Sequence, residues 1–143
     1  MSERMINILL VEDDEIDVMN VKRAFKKVNI TNPIYIASNG LEALTIMRGN
    51  HAQFPNFPQE RRLVLLDLNM PKMGGIEFLQ ELRSDPQLRP TPVVVMTTSN
   101  QDQDRVEAYN LNVAGYILKP VTFSSFVEMM LTLNKYWILC EMP

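Results

Sequence analysis

The chain has 143 residues, 46% hydrophobic and 22% charged, with a formal net charge of -3. That length suits one domain with a proper core, and the acidic balance speaks against a broad grip on nucleic acid, which needs a basic face. No apolar run approaches membrane-spanning length, the start of the chain lacks the pattern of a signal peptide, and a single cysteine, Cys140, favours a reducing compartment. The expectation is one cytoplasmic domain over residues 1–143, with a core at about 5–135.

Ile6 to Val11 reads as a first strand, apolar without clean alternation, and it ends in Glu12-Asp13-Asp14-Glu15. Val18, Val21, Phe25 and Val28 then recur at helical spacing, with acids at the start and lysines in the last turns, as the helix dipole favours. Asn32-Pro33 breaks that helix, and Ile34 to Ala37 is a short second strand. Ser38-Asn39-Gly40 opens a second helix carrying Leu41, Leu44 and Met47, closing at Gly49.

Residues 50–62, with two prolines and no period, read as an exposed loop. Phe54 and Phe57 are expected to tuck back onto the body, as isolated aromatics usually find local cover. His51, without a second histidine or a nearby cysteine, reads as plain surface.

Leu63 to Leu66 is a third strand, suited to burial on both faces. It stops at Asp67, before a Met70-Pro71-Lys72-Met73-Gly74-Gly75 turn. The third helix holds Ile76, Leu79 and Leu82 and ends at Asp85-Pro86. Val93 to Met96 is the fourth strand, running out into Thr97-Thr98-Ser99. An acid-rich helix start at 101–104 leads through Val106 and Tyr109 to Leu111. Ala114 to Leu118 is the fifth strand, ending at Lys119-Pro120. A last helix from about Thr122 shows an apolar stripe of Phe123, Phe126, Val127, Met130 and Leu133. Five such strands alternating with helices predict a doubly wound α/β fold, a parallel sheet covered on both faces.

Parallel strands would bring Glu12 and Asp13, Asp67, Thr97 and Lys119 out of one edge of the sheet, where α/β folds bind ligands. Three close carboxylates raise one another's pKa unless a cation sits among them. An oxygen-only donor set suits Mg²⁺ better than Zn²⁺. A lysine and a hydroxyl opposite such a metal are what a phosphoryl group needs. Taken singly, each residue has a plainer reading: Asp67 as a turn residue, Glu12 and Asp13 as helix-start acids, Thr97 as an N-cap, Lys119 as a surface lysine. Taken together, they point to a phosphoryl site.

Val11-Glu12-Asp13, Asp67-Leu68-Asn69-Met70-Pro71 with Gly75, Thr97 after a valine run, Tyr116 and Lys119-Pro120 together resemble the receiver domain of two-component response regulators. The resemblance runs from Ile6 to about Leu133. It implies a flavodoxin-like sheet of order 2-1-3-4-5 and a signalling switch rather than an enzyme, limited to Mg²⁺-dependent self-phosphorylation and self-dephosphorylation. On this resemblance Asp67 is the phosphoacceptor, served by a sensor histidine kinase. Asp13, Asp67 and the main-chain carbonyl of Asn69 would hold Mg²⁺ directly, with Glu12 acting through water. Lys119 would contact the phosphoryl group, and its peptide bond to Pro120 is usually cis in such proteins. Thr97 and Tyr116 would form the switch, read out on the face of the fourth helix, fifth strand and fifth helix. Asn69 and Ser99 would tune loss of the phosphoryl group.

The loop at 50–62 is longer than in compact members, and Val121, with Phe123 two further on, follows Lys119-Pro120 where many have an aromatic or hydroxyl residue. A tail at 136–143 follows the last helix with no output domain. These departures resemble the single-domain regulators paired with phytochromes, which tend to dimerise. Tyr136, Trp137, Ile138 and Leu139 are accordingly interface candidates; the alternative is that they finish the helix and pack on their own core. Two other functions keep the aspartyl-phosphate chemistry. A relay would pass phosphate on to a histidine phosphotransfer protein, and a Mg²⁺-dependent phosphohydrolase would need a general acid and a cap that the chain does not offer.

Overall fold

The computed structural model describes residues 5–143; residues 1–4, part of the N-terminal stretch weighed as a signal peptide, lie outside the description. Ten elements alternate along the described residues: β1 Asn7–Val11, α1 Glu15–Lys27, β2 Ile34–Ala37, α2 Gly40–Met47, β3 Arg62–Leu66, α3 Gly75–Ser84, β4 Val93–Thr97, α4 Asp102–Asn110, β5 Gly115–Leu118 and α5 Phe123–Trp137. The five strands form one sheet in the order β2-β1-β3-β4-β5, and every pairing is parallel.

The lack of alternation in the strands has a direct cause, since helices cover both faces. Ile8, Leu10, Leu63, Leu65, Val94 and Met96 pack with Val21, Ala24 and Phe25 of α1 and with Phe126, Met130 and Trp137 of α5. Leu9, Val11, Val64, Leu66, Val93 and Val95 point the other way, onto Leu44 and Met47 of α2, Phe78 and Leu79 of α3 and Ala108 of α4. Asp14 caps α1 by accepting from the amides of Ile16 and Asp17, Asn39 caps α2 and Thr122 caps α5, each satisfying amides that a first turn leaves free.

Several helix faces differ from the periodicity. Leu41, Val106 and Tyr109 are exposed, and Phe123 is partly so. α4 lies against the edge strand β5, whose own residues are half-exposed or exposed, so only Ala108 finds cover there. Phe123 instead receives the guanidinium of Arg23, 5.7 Å from its ring centre.

The loop at 50–62 is tied down from three sides. Phe57 is buried, with Tyr35 edge-on to it at 4.7 Å and to Phe54 at 5.5 Å, so both phenylalanines tuck back. Arg62, buried as the first residue of β3, donates to the carbonyls of Pro58 and Met47 and closes α2 against the loop. His51 is not plain surface: its Nε2 lies 3.0 Å from a Glu42 carboxylate oxygen, and its Nδ1 accepts from the amides of Gln53 and Phe54.

The tail splits as well. Trp137 is 1% exposed and closes α5 within the core, beside Phe25 at 6.1 Å, so it is not an exposed interface residue. Tyr136, Ile138 and Leu139 are exposed. Beyond them the chain folds back, and the amide of Arg61 donates to the carbonyl of Pro143 at 2.6 Å. Among the described residues no helix is long and apolar enough to cross a membrane.

Candidate functional site

The strand register sets the site. Val11 pairs with Leu66, Leu66 with Val95 and Thr97 with Leu118, so the residues that follow β1, β3 and β5 leave the sheet at one edge. Backbone bonds extend that register into the site. The amide of Glu12 donates to Ala37, that of Asp67 to Val11 and that of Lys119 to Thr97, at 2.9, 3.0 and 2.9 Å.

One carboxylate oxygen from each of Glu12, Asp13 and Asp67 lies within 4.8 Å of the others. Glu12 and Asp67 are buried, Asp13 is exposed, and a lysine sits beside the cluster. Lys119 Nζ donates to Glu12 Oε1 at 2.6 Å and to Asp17 Oδ2 at 2.7 Å, and it stands 3.6 Å from Asp67 Oδ2. Burial alone would lower the lysine's pKa, but the hydrogen bonds to Asp17 and Glu12 and the charges of Glu12 and Asp67 raise it, so it stays cationic. Glu12 is pushed up to about 7, chiefly by burial and further by Asp67, against the opposing pull of Lys119. Lys119 is thus the cation that the carboxylates need, shared among them.

Three oxygens converging beside an exposed rim fit a hard divalent cation that keeps part of its water shell. The amide of Asn69 lies 3.5 Å from Asp67 Oδ1, at the start of a loop that turns back sharply. Lys72 and Met73 take positive φ, 51° and 75°, and a Cβ on Gly75 would sit 2.7 Å from the carbonyl oxygen of Asp67.

Thr97 ends β4 and is fully buried; the residue before α4 is Gln101, so Thr97 is no helix cap. Ser99 links it to Tyr116. The Ser99 amide donates to Thr97 Oγ1 at 3.2 Å, its carbonyl accepts from the Tyr116 hydroxyl at 3.0 Å, and its own hydroxyl donates to Asp104 at the start of α4. Arg105 covers the Tyr116 ring at 5.6 Å. Among the described residues no peptide bond is cis, so Lys119-Pro120 is trans, and the lysine is aimed by its backbone bond and its ion pairs. Tyr136 and Trp137 lie at the other end of the sheet, beside Leu63, Pro92 and Ala114.

Asp17 is the member that the sequence reading passed over. It precedes the buried Val21 and Phe25 by four and eight residues in α1, which puts it on the helix face turned to the sheet. A carboxylate in register with a buried stripe was the available signal.

Residues 8–131 match the response regulator receiver domain. The chain belongs to the response regulator receiver family. It is 37% identical over 131 residues to the probable methanogenesis regulatory protein FilR2 of Methanothrix harundinacea, covering 92% of this chain and 83% of that one. It is 34% identical to the response regulator Rcp1 of Synechocystis sp., covering 92% and 88%. Among solved structures, the phosphorylated cyanobacterial phytochrome response regulator RcpA superposes with a TM-score of 0.86 at 32% identity, covering 97% of this chain and 99% of that one. The Mn²⁺-bound form of Rcp1 gives 0.84 at 33%, covering 96% and 99%. This receiver is therefore related to the phytochrome response regulators, with the flavodoxin-like fold of that family. Receivers of this family are signalling switches that histidine kinases phosphorylate.

Proposed function

We propose that Asp67 accepts a phosphoryl group from the phosphohistidine of a sensor histidine kinase. The carboxylate oxygen forms a bond to phosphorus as the bond from phosphorus to the imidazole nitrogen breaks, and the departing imidazole takes a proton from solvent. The observation that carries the reading is the grouping of the Asp67 carboxylate with those of Glu12 and Asp13 and with Lys119 at 3.6 Å. Relatedness to RcpA and Rcp1 favours a phytochrome-type kinase as donor.

Asp13, Asp67 and the Asn69 carbonyl would hold Mg²⁺ directly, with Glu12 acting through water, and the ion would supply charge neutralisation for the transferred oxygens. Lys119 adds a second positive charge at the same oxygens. Thr97 then turns its hydroxyl to the new acceptors, its tie to Ser99 loosens, and Tyr116 turns inward. Asn69 and Ser99, flanking the acyl phosphate, set how long it lasts. Exposed Val106 and Tyr109 on α4, Leu118 on β5 and Val121 just before α5 supply the output face made by α4, β5 and α5. The whole chain acts as one receiver unit in the cytoplasm, through protein contacts that include a second copy of itself.

Intact mass after mixing with acetyl phosphate tests this. One phosphoryl mass that requires Mg²⁺ and is absent from Asp67→Asn is the expected result. A folded protein with no adduct would overturn it.

A further inference from the structure

Lys119 has three N–H donors, and two are spent on Glu12 at 2.6 Å and Asp17 at 2.7 Å, with Asp67 left at 3.6 Å. The two engaged carboxylates differ in what losing the lysine would cost. The Glu12 side chain is 4% exposed, so stripping its partner would leave a buried carboxyl that must be either desolvated as a charge or protonated. The Asp17 side chain is 34% exposed, and water can replace the lysine there. A cavity of about 60 Å³ adjoins the pair, with Glu12, Asp17, Asn20 and Lys119 on its polar side and Val21, Met96 and Phe126 on its apolar side, and the polar side can take the water that such an exchange brings in. Asp17 stands outside the three-carboxylate cluster, and the only partner of its side chain among the described residues is Lys119.

We propose that Asp17 is a positioning residue, a latch on α1 that holds Lys119 off Asp67 and gives it up to the phosphoryl group. The inference rests on the receiver reading above. In the resting protein Asp17 draws the ammonium sideways, leaving the oxygens of Asp67 freer for the metal. When the phosphoryl oxygens arrive, Lys119 keeps Glu12 and exchanges Asp17 for them. Asp17 thereby opposes the phosphorylated state by one partly exposed ion pair.

Beryllofluoride, a phosphoryl mimic, titrated at saturating Mg²⁺ and followed by fluorine NMR on the full chain, tests the latch. Asp17→Asn should bind it about two- to fivefold more tightly, the scale of one such pair, and Asp17→Glu should stay near the parent. With Mg²⁺ alone, Asp17→Asn should bind more weakly, because the freed lysine competes for Asp67. In a Lys119→Ala background the Asp17→Asn substitution should change neither affinity. Equal or weaker beryllofluoride binding by Asp17→Asn, or the same change with and without Lys119, would overturn the latch while leaving the receiver reading intact. No binding by the parent protein would remove both.

Discussion

Lys119 Nζ stands 2.6 Å from Glu12 Oε1, yet the Glu12 carboxyl still titrates near 7, because burial outweighs the lysine's pull. A divalent cation needs the ionised carboxylate, so its binding should displace a proton near neutral pH. Apparent Mg²⁺ affinity should therefore rise between pH 6 and 8 and level off above. Calorimetry in two buffers of different ionisation enthalpy would detect the released proton, and Glu12→Gln should remove it. The same shift sets a sign for stability. Between the ordinary 4.5 and about 7, the native protein holds a proton that the unfolded chain has released. The contribution of this group thus favours the fold at low pH and is lost as pH rises through 7. Urea melts of Glu12→Gln should lack that component.

Gly75 lies against the chain just past the end of β3. An added methyl would meet the Leu68 Cα at 2.6 Å and the Asp67 carbonyl oxygen at 2.7 Å. Both are backbone atoms with little freedom to yield. Gly75→Ala should destabilise the fold by about 1–3 kcal/mol, the usual cost of overpacking, and should slow phosphorylation by moving Asp67. An unchanged melting midpoint would mean that the loop has slack.

Arg83 donates to four backbone carbonyls, those of Leu111, Arg89, Thr91 and Asn112. It thereby fastens the α3–β4 connection to the end of α4, while the start of α4 is held by Ser99 and Asp104. Arg83→Met, which keeps the apolar stem, should cost about 1.5–3 kcal/mol in a urea melt, as charged hydrogen bonds of this kind do. Arg83→Lys should recover only part, since an ammonium cannot reproduce the planar fork.

These bonds show where sequence reading works and where it stops. The runs at Leu63–Leu66 and Val93–Met96 announce buried parallel strands, and the strand ends then locate Glu12, Asp67 and Lys119 without knowledge of any side-chain contact. Exposure on α4 was not legible, because Val106 and Tyr109 have helical spacing, yet beside the half-exposed edge strand β5 only Ala108 of this helix is buried. The register of Asp17 with Val21 and Phe25 marks it as facing the sheet, but its pairing with Lys119, 102 residues further on, depends on how α1 seats there. His51 looked unpartnered because Glu42, its partner at 3.0 Å, sits in a separate helix with its own plain role as a helix-start acid.

The tail joins two roles that the sequence ran together. Removing everything after Lys135 would delete Trp137, which is 1% exposed and packs on Phe25, so such a truncation would report on folding rather than on assembly. Trp137→Ala should cost about 3–5 kcal/mol, as loss of a large buried aromatic does. Ile138 and Leu139 are 63% and 81% exposed, so Ile138→Ser with Leu139→Ser should leave the melting midpoint within the small range of surface changes. If this end of the chain forms the homodimer contact, the double serine variant should be monomeric by light scattering at concentrations where the parent is dimeric. Parent and variant of equal mass would remove Ile138 and Leu139 from the interface and leave the exposed face of α4, β5 and α5 as the surface to test.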